Sequence, residues 1–334
     1  MENLRISTSP HLHSKNTVTV IMADVLIALV PAMAAAIYFF GVRSLMILCA
    51  AVVSCVASEL VFEMITKRHR TLGDLSAVVT GVLLALNMPP NVPIYMVVIG
   101  SVFAIIIAKQ IFGGIGKNFM NPALAGRCFM LIAWTGVMTA FSPTLRSGAF
   151  DAVTAATPLG IIKSGSGAAL PSMLDAFLGN IPGCIGETSA LALIIGFVYL
   201  LIRRVVTLRI PLAYIISFAV LTFLFGNNTT DMAQWQFTIY QIITGGLLLG
   251  AFFMATDYTT TPSTPLGMII FGVGCGVLTF LIRRFGGYPE GVSFSIILMN
   301  IATPIIEAHT IPKSFGMRGE KYERKGRKQN CFRN

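Results

Sequence analysis

Few side chains in this sequence can do chemistry, and the densest group of them is one short stretch. Residues 151–158, DAVTAATP, set Asp151, Thr154 and Thr157 among alanines and close on Pro158. On residue types alone this is turn chemistry, since Asp and Thr side chains bond their own backbone in polar loops. The other candidates are scattered. Arg127 lies inside an apolar run, where a charge is functional by default and answers either to an anionic cofactor or partner or to a structural pairing. Glu59 and Glu63 share a helical face, with Lys67 four residues beyond Glu63. That spacing predicts a surface Glu63–Lys67 ion pair. Glu59, one turn deeper and without a close basic neighbour, is then the ion-path candidate. Asp24 and Asp257 stand at the ends of apolar runs, open to helix capping or to ion coordination. Asn121-Pro122 reads as a helix cap followed by proline in the first turn. His11 and His13 lack the spacing of a metal site. The six cysteines form no CxxC pair, so neither a zinc site nor an iron–sulfur loop is expected, and most should fill helix cores.

These groups sit in a chain built for lipid. Of 334 residues, 55% are hydrophobic and 11% charged, and the mean hydropathy is +0.77; soluble domains are about 25% charged. The formal charge of +10 is spread through short loops and the tail without an aromatic and basic platform, which argues against nucleic acid as a partner. The polar start, MENLRISTSPHLHSKNTVTV, has no apolar segment beside a cleavage site and is not expected to be a removable signal. Ten apolar runs follow, near 21–40, 44–65, 74–89, 93–112, 120–142, 189–204, 209–226, 237–255, 264–283 and 291–309. Crossing roughly 30 Å of hydrocarbon takes about 20 helical residues. Several runs are broken by NMPPNVP, MNPALAG or TDYTTTPSTP, and such breaks survive only where protein or a polar cavity satisfies the freed backbone.

An internal repeat organises the runs. TGVLLALNMPP from Thr80 is similar to TGGLLLGAFFM from Thr244, and each leads to a basic–Phe–Gly–Gly turn, KQIFGG ending at Gly114 and RRFGG ending at Gly287. Five spans per copy would invert the second copy, and inverted repeats with broken helices form their sites near the bilayer midplane. The expected fold is an all-α integral membrane protein of about ten transmembrane helices in two inverted five-helix repeats. Its divisions are a cytoplasmic segment 1–20, a first repeat 21–142, an extracytoplasmic loop 143–188, a second repeat 189–309 and a basic cytoplasmic tail 310–334. Lys and Arg in short loops set this orientation, and the tail from Lys313 to Arg333 holds eight of the 24. Arg283 and Arg284 oppose it, since they fall on the outer side.

The heptad DAVTAAT fits the pattern Asp-x-x-(Ser/Thr)-(Gly/Ala)-Ala-Thr. It resembles the flavin attachment motif of the NqrB/RnfD family, membrane subunits of the Na⁺-NQR and Rnf complexes. The stretches SPHLHSKNTVTVIMADVLIALVPA, GGIGKNFMNPALAGR, FMATDYTTTPSTPLG and RRFGGYPEGVSFSIILMN resemble the RnfD branch, and the longer N-terminal extension usual in NqrB is absent. One departure is Ala155, where the motif often has Gly; it adds only a methyl.

The resemblance implies a bacterial inner-membrane, multi-pass component of an ion-translocating ferredoxin:NAD⁺ oxidoreductase, relaying electrons coupled to Na⁺ or H⁺ transport. It implies FMN joined through its phosphate to Thr157, where small alanines admit the transferase and the aspartate helps organise the acceptor. Asp151, Thr154, Ala156, Pro158, Asn121 and Arg127 would support that cofactor, and Glu59, Asp24 and Asp257 an ion path. A second, noncovalent flavin such as riboflavin is also contemplated. Other Rnf subunits, a flavin transferase and the bilayer would be partners, with ferredoxin and nucleotide chemistry on other subunits because this chain has no Rossmann fingerprint and no cluster cysteines. The competing reading is an inverted-repeat channel or transporter resembling urea transporters, in which the heptad is incidental.

Overall fold

The computed structural model describes residues 17–67, 72–145, 155–165, 169–226, 228 and 232–311. Asp151, Thr154, His11, His13, Cys331 and the basic tail lie outside them. Each of the ten apolar runs is helical. α1 (Val18–Phe40) and α2 (Val42–Thr66) form a hairpin through Gly41, whose φ of 71° lies in the left-handed region that glycine adopts without strain. α3 (Ser76–Leu86) stops at Asn87, and α4 (Ile94–Val102) runs on as a π-helical segment, Phe103–Gln110. α5 (Pro122–Ala133) and the short α6 (Thr135–Met138) close the first half. Between the halves lie two short helices, α7 (Pro158–Ser164) and α8 (Met173–Leu178). The second half holds α9 (Ala190–Ile202), α10 (Arg209–Phe225), α11 (Gln234–Ile243), α12 (Leu247–Leu249) running into a π-helical Gly250–Met254, α13 (Pro265–Phe285) and α14 (Val292–Thr310).

Four of these helices, α1, α2, α13 and α14, are long and apolar enough to cross a bilayer as single rods, and a fifth span forms if α11 and the following Leu247–Met254 are joined across their 62° bend. Large aliphatic side chains such as Val53, Ile216, Val220, Ile301 and Ile305 are exposed along the outer helix faces, while Glu59, Lys109 and Arg127 are buried. Apolar groups outside and charges inside are the arrangement of a membrane protein.

The breaks are satisfied by protein. Pro89 and Pro90 end α3 because neither supplies an N–H, so the carbonyls at its C-terminus need outside donors. Part of the inter-repeat connection supplies them: Gly186 N–H bonds Leu86 O at 2.8 Å and Ile185 N–H bonds Met88 O at 2.9 Å. Asn87 Nδ2 donates to Leu83 O at 2.8 Å, and Arg43 Nε to Pro90 O at 2.8 Å. Residues 181–189 therefore run inside the bundle and lead directly into α9. Gly246 faces them from the second break, where a Cβ would stand 2.5 Å from Glu187 Oε1; only glycine allows that approach.

Candidate functional site

Thr157 is the N-cap of α7. Its Oγ1 accepts from Gly160 N–H at 3.1 Å, and Pro158 takes the first helical position, where the missing N–H costs nothing. An antiparallel bridge, Ala155 N–H to Phe141 O at 2.8 Å, ties the residues before it to the end of the first half. Thr157 thereby faces a cleft of about 320 Å³. Ala155 and Ala156 leave room on the same wall, Leu131, Met138 and Phe141 make it apolar, and Tyr288 and Phe294 border it as a stacked pair with centroids 5.7 Å apart. Arg127 and Glu290 form its polar floor.

That floor is the centre of a buried network. Arg127 Nη1 donates to Asn87 Oδ1 at 2.6 Å and to Glu187 Oε1 at 2.7 Å. Its Nη2 meets Cys184 Sγ at 3.5 Å and Glu290 Oε2 in a close contact. Arg127 thus has structural pairings and also reaches the cleft. Sequence reading missed Asn87, Cys184, Glu187 and Glu290. Glu187 and Glu290 sit in short polar connections, GETS and YPEG, with no spacing that links them to each other or to Arg127; only the fold brings the three together.

At the other end of the bundle a second cavity of about 80 Å³ is lined by Ser76, Lys109, Asn118, Asn121, Asp257 and apolar side chains. Asn121 caps α5 as expected, its Oδ1 accepting from Ala123 N–H at 3.0 Å, but it belongs to this cavity and not to the cleft beside Thr157. Asp257 organises a turn, accepting from the Thr259 N–H at 3.1 Å and hydroxyl at 2.9 Å. Burial raises its carboxyl above the ordinary value, and the Thr259 bonds oppose that shift. The helix cap expected here is instead Thr264, at the start of α13.

Three expectations are corrected. Glu59 does have a basic neighbour: Lys109 Nζ lies 2.8 and 3.0 Å from its two oxygens, Gln110 Nε2 lies 2.7 Å away, and Lys109 also donates to Ser76 Oγ at 2.6 Å. Four residues of separation found neighbours on the same helix, whereas Lys109 comes from the π-helical continuation of α4. Glu63 is buried and so is no surface partner for Lys67. Asp24 stands within α1 rather than at its cap, paired with Arg203 at 3.1 Å and with the Tyr199 hydroxyl at 3.0 Å, which fastens α1 to α9. Among the cysteines, Cys55, Cys128 and Cys275 do fill helix cores, while Cys49 is exposed and Cys184 belongs to the Arg127 network.

The Glu59–Lys109 pair yields a measurable expectation. Breaking a buried pair costs about 3–5 kcal/mol because the remaining charge is stranded, while replacing both members is often nearly neutral. Glu59→Leu should lower the thermal unfolding temperature of the purified protein markedly, and Lys109→Met added to it should restore most of the loss. Equal destabilisation by the single and double variants would show that the pair does not govern stability here.

A model of the NQR2, RnfD, RnfE family matches residues 5–316. The chain belongs to this family. Among its relatives, an Acetobacterium woodii protein, named as the D subunit of a Na⁺-translocating ferredoxin:NAD⁺ oxidoreductase complex, is 48% identical over 327 residues, 97% of this chain and 98% of the relative. A Clostridium ljungdahlii protein, named as the D subunit of a proton-translocating ferredoxin:NAD⁺ oxidoreductase complex, is 42% identical over 324 residues, 94% of this chain and 96% of its own. An Escherichia coli protein, named as the D subunit of an ion-translocating oxidoreductase complex, is 35% identical across 94% of this chain and 99% of its own length. The first two names agree on the complex and differ on the ion.

Proposed function

We propose that this chain is the D subunit of an Rnf-type ion-translocating ferredoxin:NAD⁺ oxidoreductase, and that it carries FMN covalently on Thr157. Similarity over nearly the full length to subunits so named supports the first part. The observation that carries the second is Thr157 itself, which lines a cleft of about 320 Å³, at the lower end of the range of cofactor sites. The lining fits such a group. Aromatic and aliphatic side chains suit a flat ring system, the alanines leave the oxygen approachable, and the N-cap bond uses one lone pair of Oγ1 without consuming its O–H. When bound, the flavin supplies electron-transfer chemistry. The chain's own residues fix its place: Thr157 anchors it, Tyr288 and Phe294 bound the ring space, and Arg127 with Glu290 sets the charge beneath it. Asp151 and Thr154 complete the attachment motif in this reading.

A second, noncovalent flavin such as riboflavin would require the inner cavity, about 80 Å³ here, to open, with Ser76, Lys109, Asn118 and Asn121 as its hydrogen-bonding groups. Asp257 alone of the three carboxylates considered for an ion path lines that cavity, since Glu59 and Asp24 are held in ion pairs. The urea-transporter reading is disfavoured because Arg127, Glu187 and Glu290 obstruct the middle of the molecule between the two cavities. Under ultraviolet light the denatured wild-type band, made with an active flavin transferase, should fluoresce. A dark band would remove the flavin from this reading and leave the family membership intact.

The same reading includes ten crossings in two inverted repeats within a bacterial inner membrane, with both termini cytoplasmic. In support, α2 packs on α4 as α10 packs on α13, and α4 on α5 as α13 on α14. The two basic–Phe–Gly–Gly copies lie at opposite ends: Lys109 beside the inner cavity and Arg283 beside the cleft side. Arg283 defies the charge rule because it has local partners. It donates to Gln241 O at 2.6 Å, Gly245 O at 2.9 Å and Glu290 O at 3.0 Å, and lies 4.9 Å from the Phe218 ring centre. Cysteine placed at exposed Lys163 should react with an impermeant maleimide in intact cells, and native Cys331 only after permeabilisation. Labelling of Cys331 in sealed cells would reverse the orientation.

A further inference from the structure

The Arg127 network brings two acidic side chains onto one guanidinium. One guanidinium meets two carboxylates, Glu187 and Glu290, and their oxygens lie with the Cys184 sulfur within 4.8 Å of one another. Glu187 is 4% exposed. Its Oε1 is held by Arg127, while its Oε2 is buried with no hydrogen-bond partner among the described residues. Desolvation and a like charge within a few ångströms both favour the neutral form of a buried carboxyl.

Among the described residues, no group other than Arg127 forms an ion pair with either carboxylate. α5 contributes Arg127 and Cys128, and the end of α3 contributes neutral Asn87. The 181–189 segment adds the Cys184 thiol. The break between α11 and α12 presents Gly245 and Gly246, and Arg283 on α13 is a second cation near the pair, but its N–H groups go to the carbonyls of Gln241, Gly245 and Glu290 and to the Gln241 side chain, so it leaves the orphaned Glu187 oxygen without a donor. A metal ion on Cys184, Glu187 and Glu290 would have to share the site with the Arg127 guanidinium, two cations side by side. A proton bound to one carboxylate oxygen adds no such neighbour, and as an O–H it gives the orphaned oxygen a role as donor.

We propose that Glu187 and Glu290 together hold one proton at neutral pH, forming with Arg127 a protonatable site that exchanges through the cleft beside Thr157. Access is one-sided. Glu290 lines the cleft, and a small cavity bordered by Thr157, Glu187, Thr188, Gly245 and Glu290 joins the two. Toward the inner cavity the way is closed by Asn87, whose Nδ2 bonds Leu83 O and Met254 Sδ, and by the backbone pairs of residues 185 and 186 with 88 and 86. Coupling of this proton to electron transfer rests on the flavin reading above; the proton itself does not.

Infrared difference spectroscopy on the purified full complex tests it. At pH 7 the wild type minus Glu187→Gln spectrum should contain the carbonyl stretch of a protonated carboxyl group, and the corresponding Glu59→Gln spectrum should not, because both Glu59 oxygens accept from the Lys109 ammonium. Glu290→Gln serves as a second probe, since it also removes one of the two acceptors and should abolish the same band. A wild-type band that survives in both cluster variants would overturn the proposal. So would a band that is missing in sodium buffer and emerges when sodium is withdrawn, since the cluster would then hold a cation. In-gel fluorescence of the same samples reports the flavin separately: a dark gel with the expected infrared result sinks the flavin and keeps the proton.

Discussion

Thr157→Val should abolish covalent flavin completely while leaving the protein in the membrane. Valine nearly matches threonine in volume and lacks the hydroxyl, so no phosphoester can form. The structural cost is the lost cap on α7, about 1 kcal/mol, and it falls on a seven-residue helix outside the long spans. In-gel fluorescence and the FMN mass adduct on the peptide containing residue 157 should both vanish at unchanged protein level. Thr157→Ser keeps both the cap and the hydroxyl and should retain the adduct. Thr154→Ala should lower the yield without moving the attachment point. An adduct found on Thr154 in the wild type, or one persisting in Thr157→Val, would refute the assignment.

Arg127→Leu should be the most damaging single change in the chain. It removes the donor to Glu187, Glu290, Asn87 and Cys184 at once and strands two acidic groups in the protein interior. Losing one partner of a buried pair costs about 3–5 kcal/mol, and here two carboxyls lose the same partner, partly relieved if both become protonated. The expected result is little or no folded protein, read as loss of membrane-inserted product and of thermal stability in detergent. Arg127→Lys should be intermediate, because an ammonium cannot reproduce the planar fork that meets several acceptors. Arg127→Leu combined with Glu187→Gln and Glu290→Gln should recover part of the loss. No recovery in the triple variant would mean that shape, rather than uncompensated charge, makes Arg127 necessary.

The helices were legible because hydropathy is a local property. Every apolar run found its helix, and Asn121-Pro122 read correctly as a cap and first turn. The heptad could be proposed as an attachment site from sequence because its residues are consecutive. Networks between elements were not legible. Glu59 looked solitary because its partner is 50 residues away, and Asp24 looked like a cap because Arg203 is 179 residues away. Arg127 was recognised as unusual from its surroundings, yet its partners at positions 187 and 290 come from connections whose sequence reads as ordinary loop. Helical spacing reports neighbours on one rod; which rods and loops meet is decided by tertiary packing.

The pairing of residues 185 and 186 with the broken end of α3 also sets an order of assembly. Leu86 and Met88 leave the ribosome about 100 residues before Gly186 and Ile185, a delay of roughly 5–20 s at ordinary rates of bacterial synthesis. During that interval the first five helices can be inserted but not finished, since two carbonyls at the break await donors not yet made. Arg127 enters with only Asn87 available to it, ahead of both glutamates. The first half of this chain is therefore a nascent intermediate that depends on the connection behind it, and a chain released early would present bare backbone and an unpaired guanidinium to the quality-control proteases of the membrane.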